Sequence, residues 1–169
     1  MTILRPALLC LLLALPSGAH AQGGSYSIAD EITLQNCIET VRDINTSDGA
    51  NSASTRDCIG IAAEACIAQS TKNQTTLGMV ECTKRETAWW DGWLNSNYTA
   101  LKENLSPELF SQLRDAQRAW ISYRDTSCGF QYSYWKEGTI RHIIFTGCML
   151  HRTGARAIEL AEVLDWGDA

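Results

Sequence analysis

Two acids on one stretch, Glu86 and Asp91, and a set on another, Arg118, Arg124 and Asp125, are the residues of this chain best suited to chemistry. Two carboxylates held side by side can act as general acid and general base. These two lie five residues apart in a segment with helical patterning, so they point in different directions and do not share a site. The spacing favours a cross-helix network instead, in which arginines meet carboxylates and Gln117 or Asn95 completes the hydrogen bonds. His142 and His151 are nine residues apart, neither the three nor the four that places two imidazoles on one helical face, so no metal pair is expected. A Ser-His-Asp order, a Gly-rich phosphate loop and an H-E-x-x-H motif are all missing from the sequence. The expectation is a protein that is not an enzyme and uses no cofactor.

The elements that would position these residues begin after an export leader. Arg5, an apolar run over 7–15 and the small-x-small triplet Ala19-His20-Ala21 read as a signal peptide over 1–21, cleaved after Ala21. The apolar run is too short to span a bilayer of about 30 Å, so the mature chain is expected to lack a transmembrane span. Removing the leader takes away Arg5 and no acid, leaving 13 basic against 19 acidic residues, net −6. An acidic surface argues against nucleic acid and anionic membranes and permits a basic partner.

Apolar periodicity predicts five helices. The first covers about 27–45, with Ile28, Ile32, Leu34, Ile38, Val41 and Ile44 on one face. A shorter one covers 55–69, with Ile59, Ala62, Ala63, Cys66 and Ile67, and a third runs over 77–104. The fourth, over 106–134, opens with Ser106 as cap, Pro107 at the first position and Glu108 beside the dipole. Its apparent stripe is Leu109, Leu113, Ala116, Trp120, Tyr123, Ser127, Phe130 and Tyr134, which makes it the expected central pillar of the fold. Gly138 stops it, and Thr139 is the expected cap of a last helix over about 140–164. Tryptophan is dense, and Trp89 and Trp90 can both be buried only if the third helix is packed on two sides. The fold class is all-α, a disulfide-braced bundle of about five helices whose antiparallel neighbours are joined by short loops.

With Cys10 in the leader, six cysteines remain: Cys37, Cys58, Cys66, Cys82, Cys128 and Cys148. An even count in an exported chain reads as disulfides. Cys66 and Cys82 stand at similar depth either side of the turn over 70–76, and Cys128 and Cys148 each lie ten residues from Gly138. Cys37 and Cys58 flank the loop over 46–54 and pair by elimination, giving 37–58, 66–82 and 128–148.

The run Ala116-Gln117-Arg118-Ala119-Trp120-Ile121-Ser122-Tyr123-Arg124-Asp125, followed by Cys128, resembles the AQRAWxxYRDxxC core of the lysozyme inhibitor LprI-like family of secreted bacterial proteins. Glu86, Trp90-Asp91, Leu94-Asn95 and Tyr98 upstream, and Gly138-Thr139, Cys148 and Arg156 downstream, also fit that family. The resemblance covers about 58–164. It implies an N-terminal helix and loop extension over 22–57 joined in one compact domain to a family domain over 58–169. It also implies that Glu86, Asp91, Asn95, Tyr98, Gln117, Arg118, Trp120, Tyr123, Arg124, Asp125 and Arg156 hold the fold rather than perform a reaction. The function it implies is a periplasmic or secreted binding protein that inhibits a basic lysozyme by occupying its cleft. Loops such as 48–51 or 72–74 are the expected contacts only because bundle ends project, not from any match to the family. The alternative is a non-inhibitory structural or interaction protein of the cell envelope that docks another envelope protein.

Overall fold

The computed structural model describes residues 25–47 and 53–166; the expected leader and the loop over 48–51 lie outside the described residues. Five α-helices follow one another: α1 (Ile28–Ser47), α2 (Ile61–Ala68), α3 (Thr76–Asn104), α4 (Pro107–Tyr134) and α5 (Ile140–Asp165). A 3-10 turn over Thr55–Cys58 precedes α2, and there is no strand among the described residues.

Local chemistry sets the helix starts. Ser27 and Asp30 form a reciprocal box at the head of α1: the Ser27 N–H donates to Asp30 Oδ2 at 2.8 Å, and the Asp30 N–H donates to Ser27 Oγ at 3.2 Å. Thr75 caps α3 by accepting from the Gly78 N–H, and Ser106 caps α4 by accepting from the Leu109 N–H, with Pro107 at the first position. Thr139 takes the cap position of α5 but makes no side-chain cap bond, contrary to expectation. The expected helix over 55–69 is also broken, because Gly60 turns the chain with a φ of 109° between the 3-10 turn and α2.

The core lies where α3 meets α5, with α1 and α2 closing its other side. Trp89, Trp90, Leu94 and Leu101 of α3 pack with Leu150, Ala157, Ile158 and Leu160 of α5 and with Leu34, Val41, Ala62 and Ala63. Each large side chain buried in this way contributes about 1.5–3 kcal/mol. Trp89 and Trp90 are both buried, their rings edge to face at 5.0 Å, because α3 has neighbours on two sides.

The central pillar is therefore α3 and not α4. Much of the apparent stripe of α4 is exposed: Leu109, Tyr123, Phe130 and Tyr134 face outward, the last two at 67% and 70%. The face turned inward is the row Leu113, Gln117, Trp120, Arg124 and Cys128, rotated from the apolar one. The physical reason is that α4 packs on α5 and makes little contact with α3, so only a narrow strip of it is covered.

Three disulfides staple these elements: Cys37–Cys58, Cys66–Cys82 and Cys128–Cys148, with Cα separations of 5.9, 5.7 and 5.6 Å. They are the expected pairs, two from their symmetry about a turn and Cys37–Cys58 by elimination. Each contributes about 2–4 kcal/mol, mainly by restricting the unfolded chain.

Candidate functional site

Glu86 is the most deeply committed acid among the described residues. It is 0% exposed, and its carboxylate gathers three donors. Oε1 accepts from the Gly60 N–H at 2.6 Å and from Trp90 Nε1 at 2.8 Å, while Oε2 accepts from the Ala63 N–H at 2.7 Å. Gly60 and Ala63 are the cap and third positions of α2, so an acid borne on α3 supplies the cap that α2 lacks in its own sequence. Asp91 lies on a different side of α3 and accepts from Asn95 Nδ2 at 3.1 Å. The two carboxylates are not brought together, and Glu86 has no free oxygen directed at a substrate.

Of the other motif residues, Gln117, Tyr123 and Arg156 lie on the α4–α5 seam. Arg156 of α5 donates through Nε to Gln117 Oε1 at 2.9 Å and pairs with Glu159 at 3.0 Å. The Arg152 guanidinium lies 4.6 Å from the centre of the Tyr123 ring and donates to Ser127 Oγ at 3.3 Å. The Cys128–Cys148 bond and Tyr132, edge-on to Phe145 at 5.9 Å, complete the seam. Tyr98 joins the end of α3 to the start of α4 through the Phe110 ring at 5.4 Å. Arg124 stays within α4, over the Trp120 ring at 4.9 Å, with Nε donating to Asp125 at 2.9 Å. Arg118 is exposed beside Asp115. The expected arginine–carboxylate network between the third and fourth helices is thus replaced by clasps between α4 and α5, chief among them Gln117–Arg156.

Two features were not legible in the sequence: the Arg85–Asp30 pair and the rigidity of the turn over 70–76. Arg85 of α3 grips Asp30 of α1 through both oxygens, with the shortest contact at 2.6 Å, and donates to Ser27 Oγ at 2.8 Å. Burial alone pushes the Asp30 carboxyl up, but the Ser27 N–H, Arg85 and the Ser27 hydroxyl outweigh it and hold the carboxyl below its ordinary value. The second feature is the tip between α2 and α3. Asn73 Nδ2 donates to the Cys66 carbonyl at 2.7 Å, Thr75 Oγ1 donates to the Lys72 carbonyl, and Cys66–Cys82 lies at the base. Gly78 packs so closely that a Cβ there would strike the backbone of Lys72 and Asn73. This fixed turn presents Lys72, Gln74 and Leu77 outward, Leu77 at 71% exposure.

The family model described as lysozyme inhibitor LprI matches residues 66–160, more than half of the chain. The chain belongs to the lysozyme inhibitor LprI family. The matched stretch holds α3, α4, most of α5 and two of the three disulfides, whereas α1 and the Cys37–Cys58 bond precede it. An uncharacterized protein of Rhizobium meliloti (strain 1021) is 36% identical over 53 residues, which is 31% of this chain and 38% of that protein. The match thus spans less than half of that relative's length. No solved structure matches the chain significantly. Within this LprI-family fold, no group of three or more metal-ligating side chains occurs among the described residues, and no described helix is long and apolar enough to cross a membrane.

Proposed function

We propose that this protein is exported, binds a lysozyme and inhibits it by occupying the enzyme's cleft, with no catalytic activity of its own. The observation that carries this reading is the family match over residues 66–160. Three disulfides fit an oxidising compartment. The formal net charge of −5 suits a basic partner, as lysozymes commonly are. Glu86, the one acid at 0% exposure among the described residues, is engaged in capping α2 and in binding Trp90, which supports a binding role over acid–base catalysis.

The contact proposed is the α2–α3 tip. A cleft is best filled by a projection that loses little freedom on binding, and this turn is already held by a disulfide, the Asn73 bond and the Gly78 contact. Leu77 is its apolar anchor, with Lys72 and Gln74 beside it. The test is a nuclear magnetic resonance titration of the labelled, oxidised protein with unlabelled lysozyme. Amide shifts should cluster over 71–78, and Leu77→Ser should weaken binding by about tenfold. Shifts confined to other faces would refute the tip as the contact, and the absence of any shift would refute lysozyme binding.

A further inference from the structure

Away from the tip, α3 and α4 diverge while α5 packs against both, leaving a groove floored by α5. It holds a cavity of about 350 Å³ and a second of about 330 Å³, which share Lys84, Phe145 and Thr146 as lining and so run together. Such volumes are in the range that takes small ligands. Ala88, Phe145 and Met149 make the walls of the first cavity largely apolar.

Its polar groups are few. Lys84, Arg124 and Asp91 line it. Lys84 is paired with Glu81 at 3.4 Å and Arg124 Nε with Asp125 at 2.9 Å, so what the site offers an acid is the remaining donors of Arg124 rather than a net positive charge. The Arg124 side chain is 17% exposed and is held by the Trp120 ring and by Asp125 at Nε. No described residue accepts from either of its Nη atoms, which leaves two parallel donors on a fixed fork, the shape that binds a carboxylate. Thr153 also lines this cavity. It is 0% exposed, and its Oγ1 has no hydrogen-bond partner among the described residues. A buried hydroxyl without a partner is costly, and a ligand relieves that cost where the groove wall shifts enough to let it reach the hydroxyl.

We propose that this groove binds a small amphipathic carboxylate, its acid on the Arg124 fork and the Thr153 hydroxyl and its apolar body against Ala88, Phe145 and Met149. This site is separate from the tip proposed for lysozyme, so the two readings fail independently. The test uses the full, oxidised protein and three probes of one chain length: octanoate, 1-octanol and octylammonium. Octanoate should bind saturably, shifting amides of α3, α4 and α5 around the groove, and should bind more tightly than either control. Thr153→Val keeps the shape and removes the hydroxyl. It should weaken octanoate by about tenfold while leaving the melting temperature equal or higher. Arg124→Gln should erase the preference for octanoate over 1-octanol, and Arg124→Lys should keep part of it. Octanoate binding that both Thr153→Val and Arg124→Gln leave unchanged would overturn the proposal. So would equal binding of octylammonium, or no saturable binding of octanoate to the folded protein.

Discussion

Replacing Glu86 by Gln keeps the shape of the side chain and removes its ability to accept on both sides. If the amide oxygen takes the place of Oε1, it still accepts from Gly60 and Trp90, but its NH2 meets the Ala63 N–H, donor against donor. Turned the other way, it deprives Gly60 and Trp90 at once. The smaller loss is one hydrogen bond, worth about 1 kcal/mol, together with a buried amide left unpaired at about 1–3 kcal/mol. Glu86→Gln should therefore destabilise the protein by about 2–4 kcal/mol, a large share of a typical total of about 5–15 kcal/mol. For a chain of this size that corresponds to a fall of roughly 5–15 °C in the melting temperature. The assay is urea unfolding with the disulfides intact, followed by near-ultraviolet circular dichroism. Asp91→Asn, whose side chain bonds only Asn95 among the described residues, serves as the reference and should change stability by less than about 0.5 kcal/mol. A Glu86→Gln protein as stable as the Asp91→Asn protein would refute the account of Glu86 as the cap of α2.

Further outcomes follow from the two remaining anchors. The Asp30 carboxyl lies below its ordinary value when folded, so its grip on Arg85 stabilises the fold fully above the unfolded-chain pKa of about 3.9 and is lost as pH falls through the lower folded value. Urea midpoints should thus fall more steeply below about pH 4 in the wild type than in Asp30→Asn, and the gap seen at neutral pH should close in acid. Parallel profiles would show that the pair adds nothing. Removing the Cys128–Cys148 bond with paired Ser substitutions should cost about 2–4 kcal/mol, and hydrogen exchange should quicken in α4 before α3, because α4 leans mainly on α5. Uniform quickening along the chain would contradict that order.

Much of this fold was legible because its signals are local. Ser106-Pro107 starts α4 where expected, apolar periodicity finds the long helices, and cysteines placed evenly about a turn find one another. What was hidden depends on distant partners. The break at Gly60 is matched by a carboxylate 26 residues further on, and Asp30 meets Arg85 across 55 residues. Periodicity could not orient α4 either: its apolar stripe and its covered strip differ because one neighbour, polar clasps and a disulfide decide which side is covered. The different directions of Glu86 and Asp91 were readable from spacing, whereas the purpose of Glu86 was not. The tip was visible only as turn composition, since its rigidity comes from Asn73, Gly78 and the Cys66–Cys82 bond acting together.

The most direct test of lysozyme inhibition is a cell-wall lysis titration. The full chain, exported to an oxidising compartment and shown to have its six paired cysteines blocked, is added to an animal-type and a goose-type lysozyme at low and high salt. Inhibition of at least one enzyme that saturates at one protein per enzyme, and weakens at high salt, is the predicted result. Full lytic activity of both enzymes in the presence of excess folded protein would contradict it.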